Sequence, residues 1–221
     1  MWQRLTIDRG NLPALPPAAL SELSGPTDSG KTWAALTYLE RAKGRGEVGV
    51  FFDLAWGLSP HIIAPFAPAL ERLLVLRPSS IEALISQLNI LLRKRCTDLI
   101  IIDAFSALPL EEERRVPVSV EGIHSRSTLL ASLIPRLASA AARAQLRLLM
   151  MNPCEQGELP PMDELFERYA RLRLSLKPSL DADRSQGEWQ NLAQTGFTRC
   201  PMRSELKSFH RGDHHCTHGP H

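Results

Sequence analysis

The sequence has no excess of one charge: 26 lysines and arginines stand against 24 aspartates and glutamates, a formal net of +2. Binding to nucleic acid through bulk charge is thereby excluded, and any such contact must come from a local patch. No apolar run approaches the ~20 residues of a membrane helix. Residues 1–8 have no long apolar core, so a signal peptide is not expected. The four cysteines, at 96, 154, 200 and 216, form no disulfide framework, and the expected compartment is a reducing cytoplasm. There is no internal repeat. A Ser-His-Asp hydrolase has no basis, because G-x-S-x-G does not occur. What is present is 221 residues, 43% of them hydrophobic, with a mean hydropathy of −0.14. That suffices for one soluble domain with a substantial core, and it excludes a disordered, fibrous or small secreted chain.

Residues 1–19, with Pro13, Pro16 and Pro17, read as a lead-in with little regular structure. From Leu20 onward strand-like and helix-like segments alternate. Strands are expected at Leu20–Leu23, Val48–Phe52, Leu73–Leu76, Asp98–Asp103, Gln145–Met151 and Tyr169–Leu176. Helices are expected over Thr32–Lys43, after a Ser80 cap, and over Thr128–Arg143 with Pro135 as a kink. Residues 109–125, rich in proline and charge, read as a loop. This alternation predicts an α/β fold, a mostly parallel central sheet flanked by helices. The domain should span 20–177, with 178–221 a partly disordered extension ending in a histidine-rich stretch.

The decisive motif is Gly25-Pro26-Thr27-Asp28-Ser29-Gly30-Lys31-Thr32, which fits G-x-x-x-x-G-K-[ST] between an expected strand and an expected helix. The glycines let backbone N–H groups turn toward phosphate oxygens, and the helix N-terminus adds positive potential. In that setting Lys31 reaches the β- and γ-phosphates of a bound nucleotide, and the Thr32 hydroxyl ligates Mg²⁺. Asp103 ends an apolar strand, so its carboxylate should emerge at the same sheet edge and hold Mg²⁺ through water.

Four stretches in order resemble the ATP-binding core of the RecA recombinase family: residues 25–36, residues 50–60 from Val50 to Pro60, Leu73–Pro78 with the helix after it and Asp98–Leu108, and Gly122-Ile-His124 with its following helix. The resemblance runs from about Ser24 to Pro153 and implies a phosphate-loop NTPase of RecA type acting in DNA repair or recombination after DNA damage. Departures from the family pattern qualify it. The water-positioning glutamate is replaced by Ala55. Only His61 stands where an aromatic residue would stack on adenine. Asn152-Pro153 replaces Asn-Gln, so the γ-phosphate sensor is lost. The expected DNA-binding loop, from Cys154 to about Asp163, has three acidic residues and no basic one. Removing a water-positioning group costs about 10²–10⁴-fold in rate, so hydrolysis should be slow or absent. Only 24 residues precede the loop, so filament formation is not expected. The implied role is that of an accessory paralogue, similar to ImuA-type proteins of translesion synthesis, with a repair protein or recombinase as partner and no membrane.

Other features carry less. Arg93-Lys94-Arg95 reads as cationic charge ending a helix. Arg114, Arg115 and Arg126 flank the 109–125 loop, where single-stranded DNA is a candidate ligand beside Glu111, Glu112 and Glu113. Cys200, His210, His214, His215, Cys216, His218 and His221 are zinc-ligand types, but the two cysteines lie sixteen apart and a disordered tail is the simpler reading. Cys154 reads as structural. The alternative function is a kinase or other phosphotransferase acting on a small substrate, with Asp53 as base and Arg114 and Arg115 on a lid.

Overall fold

The apolar runs of the sequence become the inner strands of one sheet. The computed structural model of the chain describes residues 3–7, 11–70, 73–105, 120–177 and 185–192. In chain order the elements are β1 (Gln3–Ile7), β2 (Ala19–Gly25), α1 (Lys31–Gly44), β3 (Gly49–Asp53), the short helices α2 (Pro60–Ile63) and α3 (Ala67–Leu70), β4 (Leu74–Leu76), α4 (Ile81–Lys94), β5 (Leu99–Asp103), α5 (Val120–Ala144), β6 (Arg147–Pro153), α6 (Asp163–Tyr169), β7 (Ala170–Lys177) and β8 (Ser185–Asn191).

The eight strands lie in the order β1-β8-β7-β2-β6-β5-β3-β4. From β7 to β4 all neighbours are parallel, while β8 runs antiparallel to β7 and β1 antiparallel to β8. Parallel strands covered on both faces need continuous apolar runs, and β5, Leu-Ile-Ile-Ile-Asp, is buried throughout. Alternate side chains divide between two cores. Leu20, Val50, Phe52, Ile100, Ile102 and Leu148 pack with α4 and α5. Leu23, Phe51, Ile101 and Leu149 pack with Ala34, Ala35 and Leu39 of α1. Each fully buried aliphatic side chain contributes about 1.5–3 kcal/mol, an upper figure for a compact unfolded chain. Ser80 caps α4 as expected, its hydroxyl accepting from the Ala83 amide at 3.2 Å. Basic Arg93 and Lys94 lie in that helix's last turn, where the dipole favours them.

Three expectations need correction. The lead-in is not without structure: Gln3–Ile7 forms β1, and Leu12 and Leu15 are buried. Its prolines withhold donors but leave acceptors, so the Pro13 carbonyl receives the Tyr38 hydroxyl at 2.8 Å and the Leu12 carbonyl receives Arg41 at 2.8 Å. Within 178–221, Ser185–Asn191 forms β8, whose polar sequence has no strand signature and is ordered by pairing with β7 on one side and β1 on the other. Of the expected 109–125 loop, residues 120–125 belong to α5, which begins earlier than its apolar spacing indicates and continues through Pro135. Residues 109–119 lie outside the described residues, as do Cys200 to His221. Among the described residues no helix is long and apolar enough to cross a membrane.

Candidate functional site

The parallel register brings the C-terminal ends of β2, β6, β5 and β3 to one edge, with Asp53 opposite Asp103 and Ser24 opposite Asn152. The glycine-rich loop leaves β2 at that edge. Gly25 sits at φ 145°, and a Cβ there would lie 2.5 Å from the Leu176 carbonyl oxygen and 2.8 Å from Ser29 Oγ, so no side chain fits. Pro26 accepts from the Ser29 amide at 3.3 Å, which closes the turn through Thr27 and Asp28. Gly30, left-handed at φ 86°, is the N-cap of α1. It supplies no side-chain cap, and the first turn of α1 contains no acidic residue. The helix therefore opens with its positive end unneutralised by its own side chains, as an anion site requires.

The Lys31 ammonium lies over the loop, donating to the carbonyls of Gly25 at 2.9 Å and Pro26 at 2.6 Å, with Ser29 Oγ at 3.5 Å. Burial pulls its pKa down, against the opposing pull of the Asp103, Cys154 and Asp28 charges. The Thr32 hydroxyl donates to Asp103 Oδ2 at 3.4 Å across 71 residues of sequence. Burial first, and then the neighbouring Asp53 charge, pushes the Asp103 carboxyl up to about 6, despite Lys31 and the Thr32 hydrogen bond. The hydroxyl and carboxylate thus form a pair of hard oxygen donors beside a lysine. A cation at that pair would relieve the cost of keeping Asp103 ionised. The sequence-predicted residues Gly25 to Thr32 and Asp103 are all brought to this one place.

Asp53 is close by but committed elsewhere. It is fully buried and accepts from the Gly57 amide at 2.9 Å, the Leu58 amide at 3.3 Å and Arg77 Nε at 2.9 Å. Arg77 was not found from the sequence. It follows β4, is joined to Asp53 across 24 residues, and its guanidinium lies 5.1 Å from the centroid of the Trp56 ring. Only the charge of a lone arginine after an apolar run could have drawn attention to it. Ala55 is exposed, its amide 3.3 Å from the Asp103 carbonyl, and His61 is exposed at the start of α2.

Asn152 does not face the loop's lysine. Its amide donates to Glu22 Oε1 at 2.8 Å and to the Pro161 carbonyl at 2.7 Å. Glu22 also receives Arg173 Nε at 2.5 Å, and Arg173 in turn binds Asp163. Glu22 and Arg173 are 0% and 4% exposed, so this is a buried ion network joining β2, β6, β7 and the start of α6. Burial holds the Glu22 carboxyl above its usual range, although Arg173 and Asn152 pull the other way. Through Pro161 and Asp163 the network ties the end of the acidic 154–163 loop to the sheet. Cys154 is half-buried beside the site, its amide 3.2 Å from the Gly25 carbonyl and its thiol pKa raised by burial. Arg114 and Arg115 lie outside the described residues. So do the cysteines and histidines of the tail, and among the described residues no three His, Cys, Asp or Glu side chains converge.

A mostly parallel sheet, helices on both faces and a Gly-Lys-Thr loop opening α1 define an α/β protein of the phosphate-loop class. Comparison with known proteins narrows the class. The RecA N-terminal domain model matches residues 5–156, well over half of the chain, and the chain belongs to the RecA family. Protein RecA of Thermus thermophilus is 25% identical over 173 residues, covering 75% of this chain and 51% of its own length. Protein RecA of Picosynechococcus sp. is 27% identical over 181 residues, covering 78% of this chain and 52% of its own. The chain spans about half the length of these relatives.

Proposed function

We propose that this chain binds ATP with Mg²⁺ at residues 25–32 and Asp103, and serves DNA repair or recombination as an accessory member of its family with weak or no hydrolysis. The observation that carries the proposal is the Thr32–Asp103 hydrogen bond at the mouth of the loop, with Lys31 alongside. The loop amides and Lys31 would hold the phosphates. Thr32 would ligate the metal directly and Asp103 through water. The metal supplies neutralisation of charge between the β- and γ-phosphates. Ala55 ends the comparison with an active hydrolase, because its methyl group cannot orient water. Asp53, with both carboxylate oxygens engaged by Gly57, Leu58 and Arg77, is a poor base, which weighs against a phosphotransferase. The Asn152 amide, turned to Glu22 and Pro161, supports a protein whose 154–163 loop is not moved by the γ-phosphate.

The test is Mg²⁺–ATP binding by calorimetry, with turnover measured in the same preparation with and without single-stranded DNA. Binding that falls at least tenfold in Lys31→Ala, with negligible turnover, is the expected result. Ala55→Glu should raise turnover while leaving affinity within a few-fold. Unchanged affinity in Lys31→Ala overturns the site, and DNA-stimulated turnover in the unaltered chain overturns the accessory role.

A further inference from the structure

Away from the loop, a groove of about 710 Å³ lies between the C-terminal halves of α4 and α5. These helices lead into β5 and β6, so the groove lies toward the N-terminal edge of the sheet, opposite the site discussed above. Its floor is aliphatic, with Leu88 and Leu137 buried beneath it. Its rim is cationic: Arg93 and Arg95 come from the end of α4, and Arg136 and Arg143 from α5. All four arginines are exposed, and no carboxylate and no aromatic ring is among the lining residues. Arg143 donates to the Ser139 hydroxyl of its own helix at 2.5 Å.

We propose that this groove is a docking site for an acidic amphipathic helix of a partner protein. Four guanidiniums around an aliphatic floor are complementary to a helix with an apolar stripe flanked by glutamates or aspartates. Such a helix buries its stripe on the leucines and offers carboxylates to planar donors that bind them in pairs. Single-stranded nucleic acid would find the charge but no ring on which to stack a base, and its bases gain little on leucine. The lining stretch of α4, from Ile85 to Arg93, gives a contact length of about 13 Å, enough for two to three turns of an opposing helix. The surface does not depend on the nucleotide site, so the two proposals can fail separately.

The experiment is a display selection on the full chain. The library is a 16-residue helix with fixed leucines at i, i+3, i+4 and i+7 and its other positions randomised over Glu, Lys, Gln and Ser. It is counter-selected on Arg136→Glu/Arg143→Glu. Survivors should be acidic at the positions flanking the stripe and bind the charge-reversed chain about tenfold or more weakly. Exchanging their glutamates for lysines should transfer binding to that variant. Arg136→Gln/Arg143→Gln should show an intermediate loss, and both variants should keep the thermal midpoint and Mg²⁺–ATP affinity of the unaltered chain. Survivors without acidic bias, or the absence of any peptide that distinguishes the two chains, overturn the proposal. So does loss of oligo-dT binding or of self-association in the same variant, which would assign the rim to nucleic acid or to a second copy.

Discussion

Replacing Asp103 by Asn should stabilise the nucleotide-free protein while weakening its hold on Mg²⁺–ATP. Asp103 is 6% exposed, and burial together with the Asp53 charge moves its carboxyl from an ordinary 3.8 up to about 6. Below about pH 4 the group is protonated in both the folded and the unfolded chain and costs nothing. Between about pH 4 and pH 6 the unfolded chain gives up its proton while the folded chain keeps it, so stability falls as pH rises. Above about pH 6 the cost is complete, on the order of 3 kcal/mol for a displacement of this size. Asparagine carries no charge and avoids it. Two effects reduce the gain: Lys31 loses an attractive neighbour, and the Asn amide nitrogen must find an acceptor, although its carbonyl can still receive Thr32. A net stabilisation of about 1–2 kcal/mol at pH 8, vanishing toward pH 4, is the expected balance. Urea denaturation in EDTA at several pH values measures it, with an unchanged m-value as the check on two-state behaviour. Adding Mg²⁺–ATP should reverse the order, since the unaltered chain gains more binding free energy than the variant. A variant no more stable at pH 8, or equally more stable at pH 4.5 and pH 8, would refute the reasoning from burial.

Other perturbations read other parts of the fold. Arg173→Met strands the buried Glu22 carboxylate and should cost about 3–5 kcal/mol by chemical denaturation. Because burial already raises the Glu22 pKa, that loss should be greater at pH 8 than at pH 5, and Glu22→Gln in the same chain should recover part of it. Gly25→Ala places a methyl 2.5 Å from the Leu176 carbonyl oxygen, so a loss of about 2–4 kcal/mol and at least tenfold weaker nucleotide binding are expected. Gly44→Ala, with nothing within 4 Å of the new Cβ, is the contrasting control. It should raise the thermal midpoint slightly, consistent with a gain of up to about 1 kcal/mol, and leave binding untouched.

The site was legible in the sequence to the extent that its chemistry is local. Gly25 to Thr32 carry their own backbone requirements within eight residues, and Asp103 is marked by the apolar run it ends. The Ser80 cap and the alternation of strands and helices could be read in the same way, because each depends on neighbours within a few positions. Where the chain folds back on itself the signal disappears. Gln3–Ile7 and Ser185–Asn191 have too few apolar residues to announce strands, and only their antiparallel pairing satisfies their backbones. Arg173 reads as one basic residue in an alternating strand until β7 lies beside β2, 151 residues away in sequence, and Glu22 becomes its partner. Asp53 reads as a candidate base in the phosphotransferase alternative, and nothing in the sequence shows that Arg77 binds it across two strand ends. The arginine-rimmed groove belongs to the same class, since Arg93 and Arg136 become neighbours only when α4 and α5 pack on one face. The sequence by itself determined the phosphate loop, the acid that faces it and the α/β class, because those follow from short-range backbone and periodic constraints. Only the tertiary structure decided which charges are buried together and which remain at the surface, because desolvation and pairing depend on distances that sequence separation does not encode.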